Sequence, residues 1–279
     1  MAGGNRMNYL NLKLVSRIMD INKIEAGEFP IPRSLTVYPS ETCNLNCVGC
    51  NSKAMHKKDA FMDLDLFYRI VDDFASMGGK AVAFEGGGEP MLHPDIGKLI
   101  YRCVERELKI GIITNGTIVK EEMFLADWVR VSIPNANNIS LELMDNIDYM
   151  LARRKITRIG IKMLRSKSCP NPLCFFEADY VQIKDLRNHE NSLKENPKHV
   201  KPCGLTSLRA VVDYDGTFYP CPFFYAQEGT EIGKGFLSEL WGTDAHKKAI
   251  KNIKNCNLYD CPFIDIDWKE IEKADLLFI

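Results

Sequence analysis

The stretch SLTVYPSETCNLNCVGC, residues 34–50, runs from an apolar, β-branched segment directly into three cysteines. Residues 34–39 read as a buried strand, and Cys43, Cys47 and Cys50 follow as soon as it ends. Reactive groups on the loop that leaves a strand fit the plan of α/β proteins, whose sites collect at the carboxyl ends of the strands. Three thiols are one short of the four that close a structural zinc site. A zinc reading would borrow Cys103 or His56 as the fourth. An iron–sulfur cubane can instead be held at three irons, with the fourth open to a small molecule.

Outward from this stretch, short apolar runs alternate with longer segments of helical spacing. Strands are expected over 34–39, 80–84, 108–113, 128–133, 157–164 and 180–184, and helices over 63–77, 95–106, 119–126 and 140–153. Asp63 and Asp95 are expected to cap the first two helices and Gly78 to end the first. Such alternation argues for parallel βαβ units, either an incomplete barrel or a doubly wound sheet. The segment RSKSCPNPLCFFEAD (165–179) holds two prolines and two cysteines, so it reads as a loop on the face that bears the site.

Composition narrows the function classes. The chain has 279 residues, 46% of them hydrophobic, and a formal net charge of −1. That is enough for a real core, and it gives no basic field for nucleic acid or a membrane surface. No apolar run is long enough to span a bilayer and no export pattern opens the chain, so a cytoplasmic location is the expectation. Ten cysteines in a reducing compartment point to metal binding or catalysis rather than disulfides.

The composition changes after residue 200. SLRAVVDYDGTFYPC (207–221) reads as a hairpin turning at Asp215-Gly216, and LSELWGTDAHKKAIKNI (237–253) as one amphipathic helix. A unit with so little apolar sequence of its own needs a staple, and Cys203, Cys221, Cys256 and Cys261 lie in it.

The three-cysteine stretch, with EGGGEPMLHPD (85–95) after the second strand, ITNGT (113–117) after the third and VRVSI (129–133) in the fourth, resembles the radical S-adenosylmethionine (SAM) enzymes. Gly49 departs from the aromatic that the family often places before the last cysteine. The resemblance implies a partial (β/α)6 barrel over residues 34–190, preceded by a helical extension (1–33, with an amphipathic helix at 8–20). It implies a [4Fe–4S] cluster on Cys43, Cys47 and Cys50, with SAM as the fourth ligand. Gly87, Gly88 and Glu89 are then expected to meet the methionine end of SAM, and Asn115 and Ser132 its ribose. A carboxylate suits an ammonium, and glycine lets backbone approach a ligand.

Residues 200–279 resemble the family's Twitch or SPASM-like extension. Cys203, Cys221, Cys256 and Cys261 would hold one auxiliary [4Fe–4S] cluster, with a structural zinc site as the rival reading. The chemistry implied is cleavage of SAM to a 5′-deoxyadenosyl radical, then hydrogen abstraction from a small polar substrate such as a sugar, aminocyclitol or nucleotide. Dehydrogenation, with the last electron passing to the auxiliary cluster, is the leading expectation. Epimerisation with Cys169 or Cys174 as hydrogen donor, a peptide-modifying maturase and a non-catalytic scaffold are the alternatives. An electron donor such as flavodoxin or ferredoxin is the implied partner. Lys162, Arg165, Gln182 and Lys184, at the ends of the last two strands, are candidates for the SAM carboxylate or a polar substrate, and Cys103 for the core.

Overall fold

The computed structural model describes residues 20, 23, 26–47, 50, 52–133, 139–165, 177–185, 204–222 and 224–253. Six strands come first: β1 (Ser34–Val37), β2 (Ala81–Phe84), β3 (Lys109–Thr114), β4 (Trp128–Ile133), β5 (Arg158–Arg165) and β6 (Tyr180–Asp185). Each pairs in parallel with the next, as the alternating pattern requires. The crossovers are α1 (Leu64–Ser76), α2 (Ile96–Glu105) and α3 (Leu141–Arg153). The arrangement is the partial barrel of the radical SAM type.

The helices bury one face against the sheet. Phe67, Ile70, Val71 and Phe74 of α1 and Ile96, Leu99, Ile100 and Cys103 of α2 join Leu35, Val37, Phe84 and Ile112 in one core. Cys103 is fully buried there, as expected, and burial pushes its thiol up. Asp63 caps α1, accepting from Leu66 N at 2.9 Å, and Gly78 follows its end at φ +96°. Asp95 does not cap α2. Its carboxylate is drawn instead to Lys98 Nζ at 2.7 Å, and its N–H donates to His93 Nδ1 at 3.1 Å.

The helix expected over 119–126 is only a 3-10 turn, Glu121–Leu125. Asp127 explains the shortening. Its N–H donates to Ile110 O and its carboxylate accepts from Ile110 N, both at 2.8 Å, which pins the chain to the start of β3.

The hairpin at 207–221 is present as β7 (Arg209–Val212) and β8 (Thr217–Tyr219), with a short β9 (Gly233–Lys234) beyond it. β7 lies parallel to β1, so β1 is flanked on both sides and the sheet runs β6-β5-β4-β3-β2-β1-β7-β8-β9. At the hairpin turn the buried Asp213 accepts from Asp215 N at 3.1 Å. Burial first, then Asp215 beside it, raises the Asp213 carboxyl to about 8 from an ordinary 3.8. A raised carboxyl stabilises the fold while protonated, and that contribution is lost as pH rises from 3.8 towards 8. Asp213→Asn keeps the acceptor and removes the charge. Unfolding curves should show the variant more stable than wild type at pH 9 by roughly 1.4 kcal/mol for each unit of the rise, several kcal/mol in all, and little changed at pH 4. An equal shift at both values would show that the turn is indifferent to ionisation.

The single helix expected over 237–253 is broken into α4 (Leu237–Leu240) and α5 (Asp244–Asn252). Gly242 takes φ +78°, and Thr243 caps α5, accepting from His246 N at 3.4 Å. The break turns Trp241 onto the residues before β1, where its Nε1 donates to Pro30 O at 2.8 Å. His246 packs between Phe29 and Trp241, with ring centroids at 4.5 and 4.1 Å.

Candidate active site

The cysteine loop is fastened at its neck. Glu41 N donates to Ala60 O at 2.9 Å and Lys57 N to Glu41 O at 3.1 Å. Thr42 Oγ1 donates to Lys57 O at 2.9 Å and accepts from Ala60 N at 3.0 Å. Everything between Thr42 and Lys57, including Cys43, Cys47 and Cys50, is therefore carried on a loop closed at the carboxyl end of β1.

Under the neck runs the glycine segment that leaves β2. Gly88 N donates to Ser40 O at 2.8 Å and Glu89 N to Thr42 O at 2.9 Å. The approach is so close that a Cβ on Gly88 would fall 2.2 Å from Thr42 O. This is the physical demand for glycine here, and it comes from the cysteine loop itself. His56 Nε2 donates to Gly87 O at 2.8 Å and stands 3.9 Å from Cys50 Sγ.

All three thiols are half-buried. Burial, and behind it the neighbouring Cys50 and Cys43, pushes the Cys47 thiol up. Burial also raises Cys43, with Glu89 and Cys50 adding to it and the Leu45 N–H opposing. Among the described residues no three His, Cys, Asp or Glu side chains are drawn in to metal-holding distance. The three sulfurs are soft donors sharing one neighbourhood, and Cys43 and Cys47 resist ionising there, which is the donor chemistry that an iron–sulfur cluster relieves.

Glu89 is 3% exposed. Its Oε1 accepts from Met91 N at 3.0 Å and Thr114 Oγ1 at 2.6 Å, and its Oε2 from Asn115 N at 2.7 Å. Burial raises the carboxyl and the three donors oppose it. Oε1 is filled, while Oε2 keeps one lone pair for a further donor. Asn115 is also engaged: its Nδ2 donates to Asn44 Oδ1 at 2.9 Å and its Oδ1 accepts from Thr117 N at 2.9 Å. Asn44 Nδ2 in turn donates to Thr117 Oγ1 at 2.8 Å. The loops after β1, β2 and β3 are thus tied into one unit by Asn44, Glu89 and Asn115.

Ser132 is half-buried near the end of β4, in register with Lys162 of β5, which is in register with Gln182 of β6. Arg165 and Lys184 lie at the ends of β5 and β6, Arg165 opposite Asp185 and Lys184 opposite Leu164. Cys221 is half-buried just beyond β8. The segment after it returns to the neck: Tyr225 OH donates to Glu41 Oε1 at 2.7 Å, and Lys57 Nζ pairs with Glu41 Oε2 at 3.0 Å. Tyr225 also meets Tyr38 and Tyr219 edge-on, at 4.8 and 5.9 Å. Cys169, Cys174, Cys203, Cys256 and Cys261 lie outside the described residues.

Sequence reasoning missed Glu41, Tyr225 and Arg130. Glu41 is a charged residue leaving a strand and gives no sign of being 2% exposed. Its partner is 184 positions away, beyond any local pattern.

Comparison with known proteins agrees with this geometry. The family model described as the Radical SAM superfamily matches residues 37–162. A cofactor-modifying protein for tungsten-containing aldehyde ferredoxin oxidoreductase from Pyrococcus furiosus is 37% identical over 29% of this chain and 23% of its own length. An AdoMet-dependent heme synthase from Methanosarcina barkeri is 28% identical over 50% of this chain and 41% of its own. The chain thus spans less than half the length of these curated relatives. Among solved structures, BtrN in complex with AdoMet and 2-DOIA is similar at TM-score 0.58 and 18% identity, over 84% of this chain and 94% of that one. SuiB of Streptococcus suis bound to precursor peptide SuiA is similar at TM-score 0.60 and 15% identity, over 91% and 74%. At such identities the likeness is one of fold. Residues 37–162, from the end of β1 into β5, are a radical SAM superfamily domain.

Proposed function

We propose that this chain is a radical SAM enzyme that dehydrogenates a small polar substrate. The observation that carries the reading is the three-cysteine loop, closed at its neck and seated on the backbone of Gly88 and Glu89 at the carboxyl end of the sheet. Cys43, Cys47 and Cys50 would hold three irons of a [4Fe–4S] cluster, and SAM the fourth; together, supplied with one electron, these furnish the 5′-deoxyadenosyl radical that removes a hydrogen atom from substrate.

The chain's own part is to place and insulate. Oε2 of Glu89 keeps one lone pair for the methionine ammonium, and the Glu89 bonds to Thr114 and Asn115 fix where that oxygen stands. Gly87 and Gly88 let Tyr225 and the cysteine loop close in on the strand end, which fixes where that loop stands. Asn115 and Ser132, on neighbouring strand ends, would meet the ribose. The sheet's interior keeps water from the radical.

Dehydrogenation needs one more electron and one proton to leave the substrate after the hydrogen atom has gone. Cys203, Cys221, Cys256 and Cys261 would hold an auxiliary [4Fe–4S] cluster able to accept that electron, and a one-electron protein donor such as flavodoxin or ferredoxin would supply the first site. Tyr225, bonded to Glu41, ties the Cys221 segment to the neck of the first loop, which supports the two sites acting together.

The test is incubation of the anaerobically reconstituted chain with SAM and dithionite, which should release 5′-deoxyadenosine. No cleavage would end the reading. Turnover in deuterium oxide then separates the reactions. Oxidation gives a product lighter by two hydrogens. Epimerisation gives a product that gains solvent deuterium, and loses it on Cys169→Ala or Cys174→Ala.

A further inference from the structure

Along β4, Val129, Val131 and Ile133 point into the core shared with the helices. Trp128, Arg130 and Ser132 alternate with them and so face the interior of the barrel. Arg130 Nε is buried and has no hydrogen-bond partner among the described residues. Arg209, on β7, is a contrast. Arg209 donates through Nε to Thr36 Oγ1 at 2.7 Å and pairs with Glu85, so its charge is met within the protein.

No carboxylate stands in register with Arg130. Its register partners are Ile113 on β3 and Gly160 on β5. A Cβ on Gly160 would fall 2.0 Å from the Tyr180 ring, so that ring lies across the glycine, on the strand beside Arg130. The Tyr180 hydroxyl feels the Arg130 charge. The row of Ser132, Lys162 and Gln182 lies above Arg130, towards the strand ends. Arg130 is two residues deeper than Ser132, roughly 6–7 Å further from the cysteine loop.

A buried guanidinium N–H without an acceptor is unfavourable until a ligand brings one. The planar fork of a guanidinium matches the paired oxygens of a carboxylate or phosphate. We propose that Arg130 anchors an oxyanion group of the substrate, carboxylate or phosphate, inside the barrel and one layer beneath Ser132 and Lys162. This deepens the reading above and rests on it for the reaction, but the anion site itself is independent of catalysis.

The probes are inorganic phosphate and, separately, acetate, titrated into the full chain against matched chloride and read as a saturable rise in Tm. One of the two should bind wild type, and which one does distinguishes a phosphate-bearing from a carboxylate-bearing substrate. Arg130→Gln should weaken that binding by about ten-fold or more. Arg130→Lys, which keeps the charge and loses the planar fork, should bind more weakly than wild type and more tightly than Arg130→Gln. SAM affinity of the reconstituted protein, by equilibrium dialysis, should not change in either. Failure of both anions to bind wild type overturns the proposal, as does binding indifferent to Arg130→Gln. A drop of about ten-fold in SAM affinity in Arg130→Gln also overturns it, by assigning the guanidinium to the methionine carboxylate. If wild type binds an anion through Arg130 yet leaves SAM intact, the anchor stands and the reaction falls. If it cleaves SAM and binds neither anion, only the anchor falls.

Discussion

Cys47→Ala should release no 5′-deoxyadenosine from SAM and dithionite, and its bound iron should fall from about eight per chain to about four. The expectation follows from counting ligands. Three thiols are the fewest that hold a cubane with one open iron, and two do not hold it against loss. The neck of the loop is made by Glu41, Thr42, Lys57 and Ala60, none of which the substitution touches. The variant should therefore fold, and circular dichroism should match wild type. The remaining four irons would belong to the cysteines proposed for the auxiliary cluster. Undiminished cleavage would place the SAM site elsewhere. Four irons plus one zinc in wild type would remove the auxiliary cluster and leave the first site standing.

Glu89→Ala has the second large effect, and it is visible before any iron is added. The carboxylate is the common acceptor of Met91 N, Thr114 Oγ1 and Asn115 N. Removing it strands three donors in a site that is 3% exposed. Orphaned buried donors and the emptied volume together predict a loss of about 3–5 kcal/mol in the iron-free protein, seen as a fall in Tm. Glu89→Gln keeps the volume and one acceptor oxygen and should lose about half as much. An unchanged Tm in Glu89→Ala, together with lost SAM binding, would show that the carboxylate serves the ligand and not the loops.

The sequence patterns that gave the strands were strong because both faces of a parallel sheet are covered. The run 128–133 alternates Val129, Val131 and Ile133 with Trp128, Arg130 and Ser132, and it became β4 with those bounds. Helix ends were legible where a side chain decides them locally, as Asp63 does for α1. They failed where a distant contact wins. Asp127, tied back to Ile110, cut the expected 119–126 helix to one short turn. Gly242 stood in plain view inside the 237–253 pattern, but the packing of Trp241 against Phe29 and Pro30 is what makes the break worthwhile.

The candidate site was legible as motifs and not as a network. Cys43, Cys47, Cys50, Gly88 and Glu89 are recognisable by spacing alone. That Gly88 is fitted to Thr42 O could not be read, because it is a contact between two strand ends rather than a property of either. The isolation of Arg130 was likewise hidden, since an arginine in a strand reads as a solvated residue until the alternation of β4 is seen against its neighbours.

The parallel pairing of β1 with β7 bears on how the protein is made. β1 carries the cysteine loop, yet one of its two edges is covered only by a strand that leaves the ribosome after every residue of the barrel strands has emerged. At roughly 5–20 residues per second, the nascent chain displays an open, apolar parallel edge for on the order of ten seconds or more. Such an edge is a template for pairing with other chains. Expression that outruns chaperone supply should therefore fill inclusion bodies, and faster translation between β6 and β7, which shortens the exposure, should recover more of the chain in solution.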